Sequence, residues 1–287
     1  MDFQPIFIVG VGRSGTSLLQ SMLNAHSQIA FPPETHFVRH YLSGGKKWED
    51  IRSALPRDPY LNNMQLDLNE LVARSNGALD FYTKCMRSYA ASKGKQYVGD
   101  KDPKDIESIK TIRSHFPSAL IVHMYRDPRA VIASRMKAEW SKDKPLWQHI
   151  LAYKAQFNYM KKNATLFSGR YIEVQYETLL SHPRKVLTDV LTLLGLEFEQ
   201  NMLSFFKHSD EVVKGKEKRW KGNLYKPVMQ ENINKWKNSL TEGQIQLIES
   251  ALYPEMQVNG YEYSSKNPVR HLVFSAAAAV YSRLKCS

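Results

Sequence analysis

The apolar positions of this chain fall into short runs divided by stretches with helical spacing. Pro5-Ile-Phe-Ile-Val-Gly10 is a compact run with the look of a buried strand. Thr16 to His26 follows with Leu18, Leu19, Met22 and Leu23 spaced along one helix face. A polar stretch of helical character continues to about Lys95. Ile106 to His115 then reads as a helix, Ala119 to Tyr125 as a second buried strand, and Ala130 to Lys137 as another helix. Tyr171-Ile-Glu-Val-Gln175 is a third strand, and Val186 to Gly195 a helix stopped by its glycine. Strands alternating with helices predict an α/β fold, with a central parallel sheet flanked by helices on both faces. Ligands of such sheets bind at the carboxyl ends of the strands, and Gly10, Arg126 and Tyr176 all fall there. No internal repeat or low-complexity linker divides the chain. The expected organisation is one domain over residues 1–265 and a C-terminal helical extension over 266–287.

Composition narrows the partners. The 287 residues are 43% hydrophobic, enough for one large core. Forty Lys and Arg against 28 Asp and Glu leave a charge of +12, which suits a nucleotide, a nucleic acid or an acidic membrane surface. Two cysteines, Cys85 and Cys286, are too few for a disulfide framework or a cysteine zinc site. The first residues, MDFQPIFIVGVGRSG, lack a charged leader and a small-residue cleavage site. No segment approaches the ~18 apolar residues of a membrane span. The expected location is therefore cytoplasmic. Leu272 to Leu284, flanked by Arg270, His271 and Lys285, reads as an amphipathic helix. It is expected to dock on the body, with peripheral membrane contact as its other use.

Gly10-Val-Gly-Arg-Ser-Gly-Thr-Ser17 joins the first strand to the first helix, a phosphate-binding strand-loop-helix of P-loop type. Backbone N–H groups of Gly12, Arg13, Ser14, Gly15, Thr16 and Ser17 are candidates to hold an anion. Gly10, Gly12 and Gly15 also satisfy G-x-G-x-x-G, the dinucleotide fingerprint, which alone is a weak signal. That fingerprint wants a second strand ending in an acid about 20 residues on. Glu34 stands near that distance, but Phe31-Pro32-Pro33 precedes it, and two prolines leave no ladder donors. The loop also nearly matches G-x-x-x-x-G-K-[ST], except that Thr16 holds the lysine position.

Arg13-Ser-Gly-Thr-Ser17 resembles the 5′-phosphosulfate loop of sulfotransferases that use 3′-phosphoadenosine 5′-phosphosulfate (PAPS). It is most similar to the branch holding the tyrosylprotein and related bacterial sulfotransferases. The likeness continues through Asn24-Ala-His26 and Glu34-Thr35, and covers residues 5 to about 262. The resemblance implies that Glu34 is the catalytic base, with Arg13 and Lys101 of Gly99-Asp-Lys-Asp-Pro103 stabilising the departing phosphate. Taken alone, a lysine between two aspartates is usually a solvated loop residue.

Tyr125-Arg-Asp-Pro-Arg-Ala-Val-Ile-Ala-Ser134 follows the second strand. Arg126 at the strand end and Ser134 on the next helix can converge on one phosphate. A helix start accounts for Asp127 and Pro128, but not for Arg126 or Ser134. This segment resembles the family's 3′-phosphate motif, and Tyr176-Glu-Thr-Leu-Leu180 resembles its adenosine-contacting tyrosine motif. Lys226-Pro227 and Lys235-Trp236 sit in the basic stretch Lys214 to Trp236. They resemble a family loop that closes over the 3′-phosphate and purine. Trp220 departs from the serine of the tyrosylprotein enzymes.

His123 sits inside a strand and is expected in the core. His36, two residues after Glu34, is the competing candidate for the base. The implied reaction moves a sulfuryl group from PAPS to a hydroxyl of a small-molecule, sugar or lipid acceptor, without a metal and without nucleic acid. Protein-tyrosine sulfation is not expected, since neither a signal anchor nor disulfides stand out. Lys46 to Lys95 and Trp140 to Tyr159 are the expected acceptor walls. An NAD(P)-dependent oxidoreductase and a non-catalytic nucleotide-binding protein are the rival readings.

Overall fold

The computed structural model describes residues 3–207 and 222–286. Five strands form one parallel sheet: β1 (Ile6–Gly10), β2 (Ile29–Ala30), β3 (Tyr97–Lys101), β4 (Leu120–Tyr125) and β5 (Tyr171–Gln175). Their order is β2-β3-β1-β4-β5. β1 lies at the centre, with Ile6 opposite Leu120 on one side and Gly99 on the other. Its unbroken apolar run fits a strand buried on both faces. Alternation divides that run between two cores. Phe7, Val9 and Ile121 pack with Phe37, Phe81, Tyr82 and Ile112 on one face. Ile6, Ile8, Leu120 and Val122 pack with Leu19, Leu23, Leu187 and Leu191 on the other. Each such fully buried side chain contributes about 1.5–3 kcal/mol.

The helices that position the site are α1 (Thr16–Asn24), α2 (Ala78–Ser92), α3 (Ile109–His115), α4 (Pro128–Met136), α5 (Leu146–Asn163), α6 (Tyr176–Ser181), α7 (Pro183–Thr192), α8 (Glu242–Val258) and α9 (Pro268–Lys285). α4 starts earlier than its apolar spacing predicts, because Asp127 accepts from Arg129 N at 2.9 Å and Pro128 takes the first turn. α3 starts later than predicted: Pro103–Ser108 forms 3₁₀ turns first, capped by Asp102 accepting from Lys104 N at 2.9 Å. α9 docks on α5 and its neighbours, where Lys154 Nζ lies 3.0 Å from His271 Nδ1 and Tyr281 donates to Glu107 at 2.8 Å.

Two strands go beyond the three expected. β2 is only two residues long, ending before Phe31-Pro32-Pro33. β3 excludes the solvated-loop alternative for Lys101: the residue ends a strand and is 0% exposed. The half-buried partners described below make that burial tenable. Among the described residues, no helix is long and apolar enough to cross a membrane.

Candidate functional site

The carboxyl edge of the sheet opens on a cleft of about 1290 Å³. The loop from Gly10 forms its floor, and two of its glycines are required by close approach. A Cβ on Gly10 would stand 2.4 Å from the Met124 carbonyl oxygen. Gly15 has φ 97°, and a Cβ there would stand 2.3 Å from Cδ2 of Tyr176. Arg13, at φ 83°, occupies a left-handed conformation uncommon outside glycine. Gly12, Arg13, Gly15, Thr16 and Ser17 line the cleft, with the N-terminal end of α1 opening onto it. Ser14 is fully buried and does not line it.

Arg13 Nε donates to Ser134 Oγ at 2.9 Å, joining the loop to α4. Arg126 follows β4, donates to the Asn232 carbonyl at 2.8 Å and lies 4.1 Å over the Tyr176 ring. All four of these side chains line the cleft. Burial, and then the neighbouring charge of Arg126, holds the Arg13 guanidinium below its usual pKa. Two close guanidiniums beside a helix N-terminus make a site that favours an anion.

A second cluster faces this one. Lys101 forms an ion pair with Glu34 and donates to Ser17 Oγ at 3.2 Å. His36, at φ 54°, sets Nδ1 2.6 Å from Asp102 Oδ2 and Nε2 3.9 Å from Glu34. Arg39 Nε donates to the same Asp102 oxygen at 2.7 Å. Burial pushes the Asp102 carboxyl up, but hydrogen bonds and charge from His36 and Arg39 outweigh it and hold it well below the usual range. One residue before Lys101, Asp100 accepts from Thr35 at 2.6 Å and from Tyr82 at 2.9 Å, which fixes the Glu34-Thr35 turn against β3.

Glu34, His36 and Asp102 bring one donor atom each within 4.8 Å, a grouping that could hold a metal and that sequence reading did not find. Lys101 and Arg39 already supply positive charge to its two carboxylates, so a metal ion would have to compete with both.

The facing wall carries Tyr60, Asn63, Trp140, Trp147, Leu151 and Tyr281, drawn mainly from the two stretches expected to meet an acceptor. Arg39, Asp102 and Tyr281 were not among the expected residues. Asp102 stood beside Lys101 in the same motif, so the signal was present. Lys226 and Lys235 are exposed and do not line the cleft; Leu224, Pro227, Val228, Met229 and Asn232 of that segment do. Lys214, Lys216, Lys218, Arg219, Trp220 and Lys221 lie outside the described residues. His123 is a core residue, 2.9 Å from the Tyr171 hydroxyl.

A sequence model of the sulfotransferase family matches residues 5–200. The chain belongs to the sulfotransferase family. As a sulfotransferase, it is an enzyme that transfers a sulfuryl group. A putative protein-tyrosine sulfotransferase of Caenorhabditis briggsae is 22% identical over 276 residues, covering 92% of this chain and 91% of its own length. Protein-tyrosine sulfotransferase 1 of Danio rerio is 26% identical over 254 residues, covering 82% of this chain and 66% of its own length. The sulfotransferase domain of the Synechococcus PCC 7002 olefin synthase shares the fold, with a TM-score of 0.65 at 23% identity over 92% of this chain and 98% of that domain. Mouse SULT7A1, solved with 3′-phosphoadenosine 5′-phosphate (PAP), gives 0.53 at 11% identity over 99% of this chain and 90% of its own. Topology also separates this sulfotransferase from the dinucleotide fingerprint. That motif places an acid-tipped second strand directly beside the first. Here β3 stands beside β1, and β2 is at the edge.

Proposed function

We propose that this cleft binds PAPS and transfers its sulfuryl group to an acceptor hydroxyl activated by Glu34. The observation that carries the reading is the buried lysine that joins base to loop: Lys101 contacts both Glu34 and Ser17. The 5′-phosphosulfate lies on Gly12, Arg13, Gly15, Thr16 and Ser17 at the end of α1, with Ser14 turned into the body. Arg126 and Ser134 hold the 3′-phosphate, and Tyr176 contacts the adenosine. Lys226 and Lys235 add only long-range attraction.

Glu34 takes the hydroxyl proton as the acceptor oxygen bonds to sulfur. The bond from sulfur to the bridging oxygen breaks, and its electron pair stays on the PAP phosphate. Arg13, Lys101 and Ser17 stabilise that developing charge. A sulfuryl group carries less charge than a phosphoryl, so cationic side chains supply what this transfer needs. Residues 1–265 carry the chemistry, and the extension 266–287 reaches the cleft through Tyr281. The cytoplasm is the proposed location.

The acceptor is a hydroxyl compound of small-molecule, sugar or lipid class. Tyr60, Trp140, Trp147 and Leu151 favour one with an apolar or aromatic body. The names of the relatives support a second reading, in which a peptidyl tyrosine supplies the hydroxyl. Thermal melts test the donor site. PAP at ~100 times its dissociation constant adds about 2.7 kcal/mol to stability, with ATP and NAD giving much less. Equal stabilisation by NAD would contradict the proposal.

A further inference from the structure

Helix α9 has two unlike faces. One is held by the body: Ala278 is buried, and His271 and Tyr281 bond to Lys154 and Glu107. The other carries Val269, Leu272, Val273, Val280 and Leu284, each between 56% and 76% exposed. At the helical pitch these five fall within an arc of about 120°. Packing explains none of them, and valine is a poorer helix former than the alanines between them. Contiguous exposed apolar surface of this kind marks an interaction site.

Charge says what covers it. Lys266, Arg270 and Lys285 are exposed beside the stripe, Arg283 is exposed within its arc near the helix end, and residues 263–287 contain no Asp or Glu. We propose that this face of α9 docks on an anionic lipid bilayer, lying in the headgroup layer with its aliphatic stripe inward. Aliphatic side chains on one face with flanking lysine and arginine are the physical requirements for such binding. A second copy fits poorly, since a twofold contact sets the same cations against one another. A protein partner would more often meet an aromatic anchor or a pocket, and this stripe is aliphatic and convex.

Docking has a consequence for catalysis, and this part rests on the sulfotransferase reading. Tyr281 lines the cleft from the same helix, so the acceptor wall comes within about one helix diameter, 10–12 Å, of the docking face. A membrane-resident hydroxyl then becomes an accessible acceptor.

Co-sedimentation of the full chain with vesicles tests the docking without any turnover. Phosphatidylglycerol vesicles should bind the protein, and phosphatidylcholine vesicles much less. Binding should weaken as salt shortens the screening length from ~10 Å at 0.1 M to ~3 Å at 1 M. Replacing Leu272, Val273 and Leu284 together by serine should reduce binding at least about tenfold. Replacing Arg283 and Lys285 by glutamine should reduce the preference for the anionic lipid at least several-fold. Both variants should keep the melting temperature and PAP affinity, because the changed side chains face solvent. Equal binding to both lipids, or undiminished binding by the serine variant, overturns the proposal. So does a dimer in lipid-free solution that the serine variant dissolves.

Discussion

Replacing Glu34 by glutamine keeps the side-chain shape and removes its charge and its proton-accepting power. The structure gives this change two separable effects. Lys101 is 0% exposed, and its ammonium pairs with this carboxylate. Losing one partner of a fully buried pair costs about 3–5 kcal/mol. Glu34 faces the cleft and Ser17 still accepts from Lys101, so a smaller loss, about 1–3 kcal/mol, is expected here. A polyanion beside Lys101 replaces the missing charge, so PAP should raise the melting temperature of Glu34→Gln more than that of the unaltered enzyme. The chemical effect is larger. Loss of a positioned base slows proton transfer by about 10²–10⁴, which is roughly 2.7–5.5 kcal/mol of barrier. The assay is a quenched single turnover with bound PAPS and saturating acceptor, run beside His36→Gln. Near-normal rates in Glu34→Gln with none in His36→Gln would move the base to the His36–Asp102 pair. A smaller PAP shift in the variant would refute the ion-pair argument.

Gly15→Ala should weaken PAP binding at least about tenfold and cost about 1–3 kcal/mol of stability, because its Cβ meets the Tyr176 ring at a left-handed φ; calorimetry showing normal affinity would count against Tyr176 as a wall of the donor site. Asp105 is buried, with no hydrogen bond to either carboxyl oxygen among the described residues. Burial, then the charges of Asp102 and Asp100, push its carboxyl well above the usual range. The folded state thus keeps a proton that the unfolded chain releases near pH 3.9, and stability falls as pH rises from there toward the folded value. Asp105→Asn should therefore melt higher than the unaltered protein at neutral pH, with the advantage gone in acid; melts that show the same gap at both pH values would contradict this.

The strands read directly from the chain were β1, a continuous apolar run, β4, apolar apart from His123, and β5, where Ile172 and Val174 flank Glu173. β3 was hidden by its own chemistry. Tyr97-Val-Gly-Asp-Lys101 ends in two charges, and charged residues are seldom buried without partners. Those partners lie far off in sequence: Thr35 is 65 residues from Asp100, and Glu34 is 67 residues from Lys101. The His36–Asp102 pair was hidden in the same way. It requires a left-handed residue at His36 and the end of an unseen strand. Arg13, Arg126 and Tyr176 were legible because each follows a strand at one edge of the sheet, and Ser134 because it lies eight residues after Arg126, on the helix that follows. Lys226 and Lys235 rested on the resemblance of Lys226-Pro227 and Lys235-Trp236 to a family loop, and a sequence pattern does not say whether a lysine faces the cleft or solvent.

The most direct test of sulfuryl transfer is the mass of the acceptor. The purified enzyme is incubated with PAPS and a panel of sugar, lipid, phenolic and tyrosine-peptide hydroxyl compounds, and each is weighed by mass spectrometry. The account expects at least one acceptor to gain the mass of one SO3 group, with PAP formed in equal amount and both lost in Glu34→Gln. PAP release with no acceptor gaining mass, or a product formed equally by Glu34→Gln, would contradict it.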